Sequence, residues 1–396
     1  MIPANTNTTQ SSLPEPDETA REHSAALVAQ IQSAISESGG AISFAEFMQR
    51  ALYTPGYGYY SGGLQKFGGE GDFTTSPEVS PLFSQSLAAQ CAQVLEQLGH
   101  ADILEVGAGS GIMAATILVE LEQLGRLPDR YYILELSGEL RQRQHDTIEL
   151  HCPQLLERVE WLDALPISGF RGVVLGNELI DAMPVQRFVI EAGEVYEQVV
   201  SGEAGNLQLT SRPADAELAG TVREIETALG TPFADGYESE INAAGDAWLH
   251  SVAEMLEAGM VLLIDYGFPR HEFYHQQRNT GTLMCHYRHR GHPDAMILVG
   301  LQDITAHVDF TALAEAAVED GLSVAGFTTQ AHFLLSMGIE QRVTNLDAEQ
   351  QLKAAQQIKQ LVLPSEMGEL FKVIALTRGI DVPLQGFAFQ DQRSRL

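Results

Sequence analysis

The segment Ile103-Leu104-Glu105-Val106-Gly107-Ala108-Gly109-Ser110-Gly111 constrains the fold most tightly. An apolar strand runs into glycines at alternate positions and then into a helical stretch from Ile112 to Leu124. Glycines so placed permit a sharp strand-to-helix turn and let a ligand approach the backbone closely. A dinucleotide fingerprint needs its third glycine three residues after the second, and Ile112 stands there. Glu105 at the strand end would oppose a pyrophosphate but would suit a cationic ligand. Read without a ligand, the same residues make an ordinary tight turn between strand and helix.

Around this turn, short apolar runs alternate with helical stretches, which predicts an α/β fold with a mostly parallel sheet and crossover helices. The expected strands are 102–106, 131–136, 159–162, 173–175 and 261–264, with 282–286, 324–328 and 371–376 later. The rhythm breaks at 187–190, 194–200 and 206–211, which read as an antiparallel meander, followed by helices near 214–229 and 239–257. Before the sheet, residues 22–38 have helical spacing, and Ser43 to Glu46 resemble a capping box opening a second helix. Residues 53–78 are rich in Gly, Tyr and Phe; such a loop either covers a site or packs irregularly. The expected organisation is a disordered leader (1–20), an N-terminal helical extension with a lid loop (21–99), a core (100–186 and 246–380), an inserted region (187–245) and a tail (381–396).

Charge narrows the partners. The chain of 396 residues carries 53 acids against 23 bases, a net charge of −30. That repels phosphate backbones and anionic lipid, so no nucleic acid is expected as a partner. Between Glu191 and Glu257 the only Lys or Arg residues are Arg212 and Arg223, which makes either a solvated acidic face or a surface for a basic partner. Cys91, Cys152 and Cys285 are far apart, so neither a disulfide framework nor a Cys-rich zinc site is supported. No apolar run approaches the roughly 18 residues of a membrane span. Met1 to Ala20 resembles neither a secretory signal nor a transit peptide, and the expected location is cytoplasmic.

Several acids follow the ends of the expected strands. Glu135 ends the second expected strand, where a carboxylate's two oxygens match a ribose diol. Asp163 follows the third strand; either acid could instead be a solvated loop residue or a helix cap. After the fourth strand comes Gly176-Asn177-Glu178-Leu179-Ile180-Asp181-Ala182-Met183-Pro184. Were 178–183 a helical turn, Glu178 and Asp181 would share a face and could clamp a guanidinium fork. The plainer alternative is a helix N-terminus whose acids favour the macrodipole. In Cys285-His286-Tyr287-Arg288-His289-Arg290-Gly291-His292, strand alternation puts His286 and His289 on opposite faces, so a polar strand edge is expected and no metal site.

The whole set, in this order, resembles the MidA-like (DUF185) family of S-adenosylmethionine-dependent methyltransferases, whose mitochondrial branch is an arginine methyltransferase of complex I assembly. The matching pieces are Tyr53-Thr54-Pro55-Gly56-Tyr57-Gly58-Tyr59-Tyr60, Gly71-Asp72-Phe73-Thr74-Thr75-Ser76-Pro77-Glu78, the glycine turn, the Asn177-Glu178 segment, Ile264-Asp265-Tyr266-Gly267 and Asp303-Ile304-Thr305-Ala306-His307-Val308-Asp309-Phe310. The chain departs from the family pattern at Asp294-Ala295 and Val299-Gly300. The resemblance implies a class I methyltransferase fold with a seven-stranded, Rossmann-like sheet and S-adenosylmethionine as cofactor. It implies cofactor contacts from Glu105, Gly107, Ala108, Gly109, Gly111, Glu135, Leu136, Asp163 and Asn177, and from Thr75 and Ser76 in a loop closing over the cofactor. Glu178, Asp181 and Asn177 would face the acceptor. The implied activity is methylation of an arginine on a protein partner, such as a respiratory-complex subunit. The alternatives are a small-molecule methyltransferase and a cofactor-binding assembly factor without catalysis. A nicotinamide dehydrogenase is disfavoured by the glycine spacing.

Overall fold

A computed structural model describes residues 13–62, 75–203, 205–344 and 347–396. Its centre is a sheet of β1 (Asp102–Val106), β2 (Tyr131–Leu134), β3 (Val159–Leu162), β4 (Phe170–Asn177), β5 (Leu256–Phe268), β6 (Ser323–Thr329) and β7 (Phe371–Arg378). In space the order is β3-β2-β1-β4-β5-β7-β6. Strands β1 to β5 pair in parallel, and β7 runs antiparallel to both β5 and β6. The sheet holds eight strands rather than seven, because the two-residue strand Val308–Asp309 pairs with the end of β5. Both faces are covered, which is why β4 and β5 read as near-continuous apolar runs. Helices Pro81–Leu98, Ile112–Gln123 and Gln330–Ser336 cover one face; Ala243–Met255 and Phe310–Glu319 cover the other. Sequence order reverses between β1 and β4, so the carboxyl ends of these strands frame the crevice where such sheets bind ligands.

A second sheet joins segments far apart in sequence. Strands Gln186–Glu191, Glu194–Glu203 and Asn206–Pro213 form the expected meander, and Glu238–Ile241 adds a fourth strand beside Gln186–Glu191. The N-terminal strand Ala41–Ser43 pairs with Glu194–Glu203 at Val199 to Ser201. Helices Glu18–Glu37 and Phe44–Tyr53 pack beneath this sheet, sharing a core with Val185, Val200 and Leu207. A small sheet of Met284–Tyr287, Arg290–His292 and Asp303–Thr305 lies alongside.

Some expectations are corrected. The leader is ordered before residue 20: Asp17 caps a helix that starts at Glu18, its carboxylate accepting from the Ala20 N–H. Residues 1–12 of that leader, and 63–74 of the aromatic loop, lie outside the described residues. The helix expected at 239–257 gives way at both ends. Residues Glu238–Ile241 pair as a strand, Asn242 caps helix Ala243–Met255, and β5 begins at Leu256. The capping box at Ser43 is half formed: its hydroxyl accepts from the Glu46 N–H, while the Glu46 carboxylate pairs with Arg50. Among the described residues, no helix is long and apolar enough to cross a membrane.

Candidate active site

A cavity of about 840 Å³ opens at the carboxyl ends of β1, β2, β4 and β5. The glycine turn forms one wall. Gly107, Gly109 and Gly111 all have positive φ (70°, 53° and 83°), the left-handed region that side chains disfavour. Gly107 and Gly109 line the cavity with Ala108 between them. Gly111 does not: it abuts the next helix, where an added Cβ would stand 2.8 Å from the Gln144 Cα. The absence of a side chain at this position therefore serves packing.

Glu105 lies beneath the turn, almost fully buried. One oxygen accepts from the Tyr131 hydroxyl, while Oε1 is buried without a partner. Burial pushes its carboxyl up to about 7, and the Tyr131 hydrogen bond opposes the shift. Glu135 follows β2 directly, accepting from the Ser137 N–H at 2.9 Å and from Gln144 Nε2 at 3.0 Å. Gln144 also donates to the Gly109 carbonyl and accepts from the Trp161 indole. This single amide, which local sequence patterns do not flag, locks the ribose-side acid to the glycine turn. Leu136 is 77% exposed at the rim. Asp163 also lines the rim, its side chain 94% exposed and paired with Arg141 at 2.8 Å. Arg141 further donates to the carbonyls of Glu135 and Leu162, stitching the ends of β2 and β3 together.

The opposite wall is the Asn177–Asp181 segment, and it is not helical, so neither the shared helical face nor a helix N-terminus applies. Glu178 has φ 51°, and its N–H donates to the Ile264 carbonyl at 2.8 Å. The next three N–H groups, of Leu179, Ile180 and Asp181, all donate to Asp265 Oδ2, at 3.1, 2.8 and 3.3 Å. A buried carboxylate thus takes the part that intrahelical bonding would have played. The turn still brings Glu178 and Asp181 within each other's field. Burial, then the charges of Asp181 and Asp303, push Glu178 up to about 8, against hydrogen bonds from Asn177 and the Ser76 backbone. Burial pushes Asp181 up to about 6. Asn177 Oδ1 and Asp181 Oδ1 are buried without partners.

Of the loop residues, Thr75 lines the cavity and Ser76 does not. The Ser76 hydroxyl donates to Gln330 at 3.0 Å, so only its backbone N–H serves the site. Sequence reading missed Tyr53, Tyr60, Tyr266, Asp303, Thr305 and His307, all on the cavity wall. Each stands in a segment quoted above as a family match, but no spacing rule brings those segments together. His286 and His289 are not strand neighbours: His289 occupies the hairpin turn at φ 61°, while His286 lines the cavity. His145, Asp146 and Glu149 cluster on the surface away from the cavity, with carboxylates that are mostly exposed.

Among the described residues, the cavity wall carries Glu78, Glu105, Glu135, Asp163, Glu178, Asp181 and Asp303 and neither Lys nor Arg. His307 is held neutral, burial and the charges of Arg278 and Lys372 bringing it down to about 4. Orphaned buried acceptors at Glu105, Asn177 and Asp181 call for a ligand rich in donors and positive charge. These groups fit a sulfonium nucleoside with its amino acid tail.

Comparison with known proteins agrees. The family model described as "Putative S-adenosyl-L-methionine-dependent methyltransferase" matches residues 86–328. A COG1565 superfamily protein from Burkholderia thailandensis, crystallised with S-adenosyl-homocysteine, is 47% identical, with TM-score 0.92, covering 97% of this chain and 100% of its own. The mitochondrial protein arginine methyltransferase NDUFAF7 of Danio rerio is 27% identical over 370 residues, 85% of this chain and 83% of that protein. Its Homo sapiens counterpart is 27% identical over 378 residues, 86% and 81% of the two chains. The chain belongs to the MidA-like (DUF185) family of S-adenosylmethionine-dependent methyltransferases.

Proposed function

We propose that this methyltransferase acts on the guanidinium of an arginine side chain in a protein partner, such as a respiratory-complex subunit. The observation that carries the reading is the charge of the cavity: seven carboxylates and, among the described lining residues, no Lys or Arg. Such a wall favours a cationic acceptor beside a cationic donor. The bound donor supplies a methyl group already activated on sulfur. What remains for the chain is alignment and charge management. Glu178 and Asp181 would hold the guanidinium fork with one nitrogen directed at the methyl carbon. As the N–C bond forms, the methyl–sulfur bond would break to leave S-adenosylhomocysteine, and that nitrogen must release a proton. Carboxylates whose proton affinity is raised by burial suit the role of acceptor. The arginine methyltransferases among the relatives support the same choice of acceptor.

The test is incubation of the purified protein with deuteromethyl-labelled S-adenosylmethionine and candidate partner proteins, followed by peptide mass spectrometry. Label on arginine is the expected result. Label confined to a small molecule, with protein unlabelled, would overturn the assignment.

A further inference from the structure

Beside the expected donor groups, the cavity gathers residues from three segments far apart in sequence. Tyr53 and Tyr60 come from the N-terminal extension, Asp181 from the turn after β4, and Asp303 from the small sheet. The Tyr60 hydroxyl donates to Asp303 Oδ1 at 2.9 Å, which fixes both ring and carboxylate. The Tyr53 hydroxyl donates to the Ala182 carbonyl at 2.9 Å, which fixes the second ring against the Asp181 turn. The two rings stack with centroids 5.5 Å apart and planes at 23°. Asp181 is 2% exposed, and its Oδ1 has no donor.

We propose that Tyr53, Tyr60, Asp181 and Asp303 form the acceptor subsite, a carboxylate and aromatic box for the cationic side chain that receives the methyl group. The identity of that cation as a guanidinium rests on the reading above. Aromatic faces attract cations, and desolvation strengthens the attraction. A planar fork of N–H donors held by Glu178 and Asp181 can also meet Asp303 while lying against a ring, which a compact ammonium does less well. The N-terminal extension thereby becomes part of the machinery: without it the box loses its aromatic wall. Burial and the nearby Asp303 and Asp181 charges raise the affinity of both tyrosines for their protons, so the hydroxyls remain donors throughout the working pH range.

The experiment uses the full chain saturated with S-adenosylhomocysteine, which cannot transfer a methyl group. Blocked arginine, blocked lysine and blocked citrulline are titrated by calorimetry up to about 50 mM. Arginine should bind at least about tenfold more tightly than citrulline, its neutral isostere. Asp303→Asn should weaken arginine binding about tenfold or more, and Tyr60→Phe by a few-fold. Affinity for S-adenosylhomocysteine should stay within about threefold in both variants, showing that each remains folded. Citrulline binding as tightly as arginine, arginine binding untouched by Asp303→Asn, or no binding of either cation would each overturn the box. Asp303-dependent binding of lysine in place of arginine would keep the box and retire the arginine reading.

Discussion

Replacing Glu178 with Gln should flatten the pH dependence of stability in the ligand-free protein. Burial and the charges of Asp181 and Asp303 raise the Glu178 carboxyl from 4.5 to about 8. An acid whose folded pKa exceeds its unfolded value stabilises the fold most below the unfolded pKa, and loses that contribution as pH rises through the folded pKa. Each unit is worth about 1.4 kcal/mol, so going from about pH 5.5 to about pH 8 would remove roughly 3 kcal/mol from a sealed group. Glu178 is only partly buried and faces the cavity, where water screens part of the effect. That leaves about 1.5–3 kcal/mol. Gln carries no charge at either pH and loses none of it. Urea unfolding of both proteins at both pH values measures the difference directly, and the wild type should lose the larger amount. Parallel losses, agreeing within about 0.5 kcal/mol, would refute the claim that the folded cavity holds a proton on Glu178. Saturating S-adenosylmethionine should narrow the gap, because a nearby sulfonium favours the ionised carboxylate.

The preference for S-adenosylmethionine over S-adenosylhomocysteine, read as a ratio of dissociation constants, should grow from about pH 6 to about pH 8 as Asp181, Glu105 and Glu178 ionise; a flat ratio would show that these acids do not sense the sulfonium. Gly111→Ala should destabilise the protein by about 2–3 kcal/mol, since a left-handed backbone and a Gln144 Cα at 2.8 Å both oppose it. Gly107→Ala, whose nearest neighbour is Leu179 Cδ1 at 3.6 Å, should cost only about 1–2 kcal/mol yet weaken donor binding about tenfold or more, a reversed order of effects that thermal unfolding and calorimetry can separate. Asp265→Ala leaves three N–H groups without their acceptor and should cost about 3 kcal/mol or more, whereas Asp265→Asn should retain much of the turn, with stability measured by denaturant unfolding.

Local chemistry carried much of the donor side in the sequence. A strand, three alternating glycines and a helix can be read from a dozen consecutive residues, and the acid after β2 follows from the spacing of the sheet. The acceptor side was legible only in part. The hydrogen bonds from Tyr60 to Asp303 and from Tyr53 to Ala182 join residues well over a hundred positions apart, and no periodicity encodes such a meeting. Glu178 and Asp181 both line the cavity, but not in the helical geometry their spacing suggests. The bonds that would have made a helix are taken by Asp265, which the sequence marks only as part of a matching segment, with no partner assigned to it. The glycine at 111 shows the converse: the pattern marked the residue, but its neighbour across the fold decides what it does.

The pairing of Ala41–Ser43 with Glu194–Glu203 makes the head of the chain a structural partner of a segment some hundred and fifty positions downstream. Excising either piece would leave the other with a bare row of amide and carbonyl groups, an invitation to self-association. Recombination that trades one of these parts between relatives must therefore trade both, so the two should be inherited as a linked cassette.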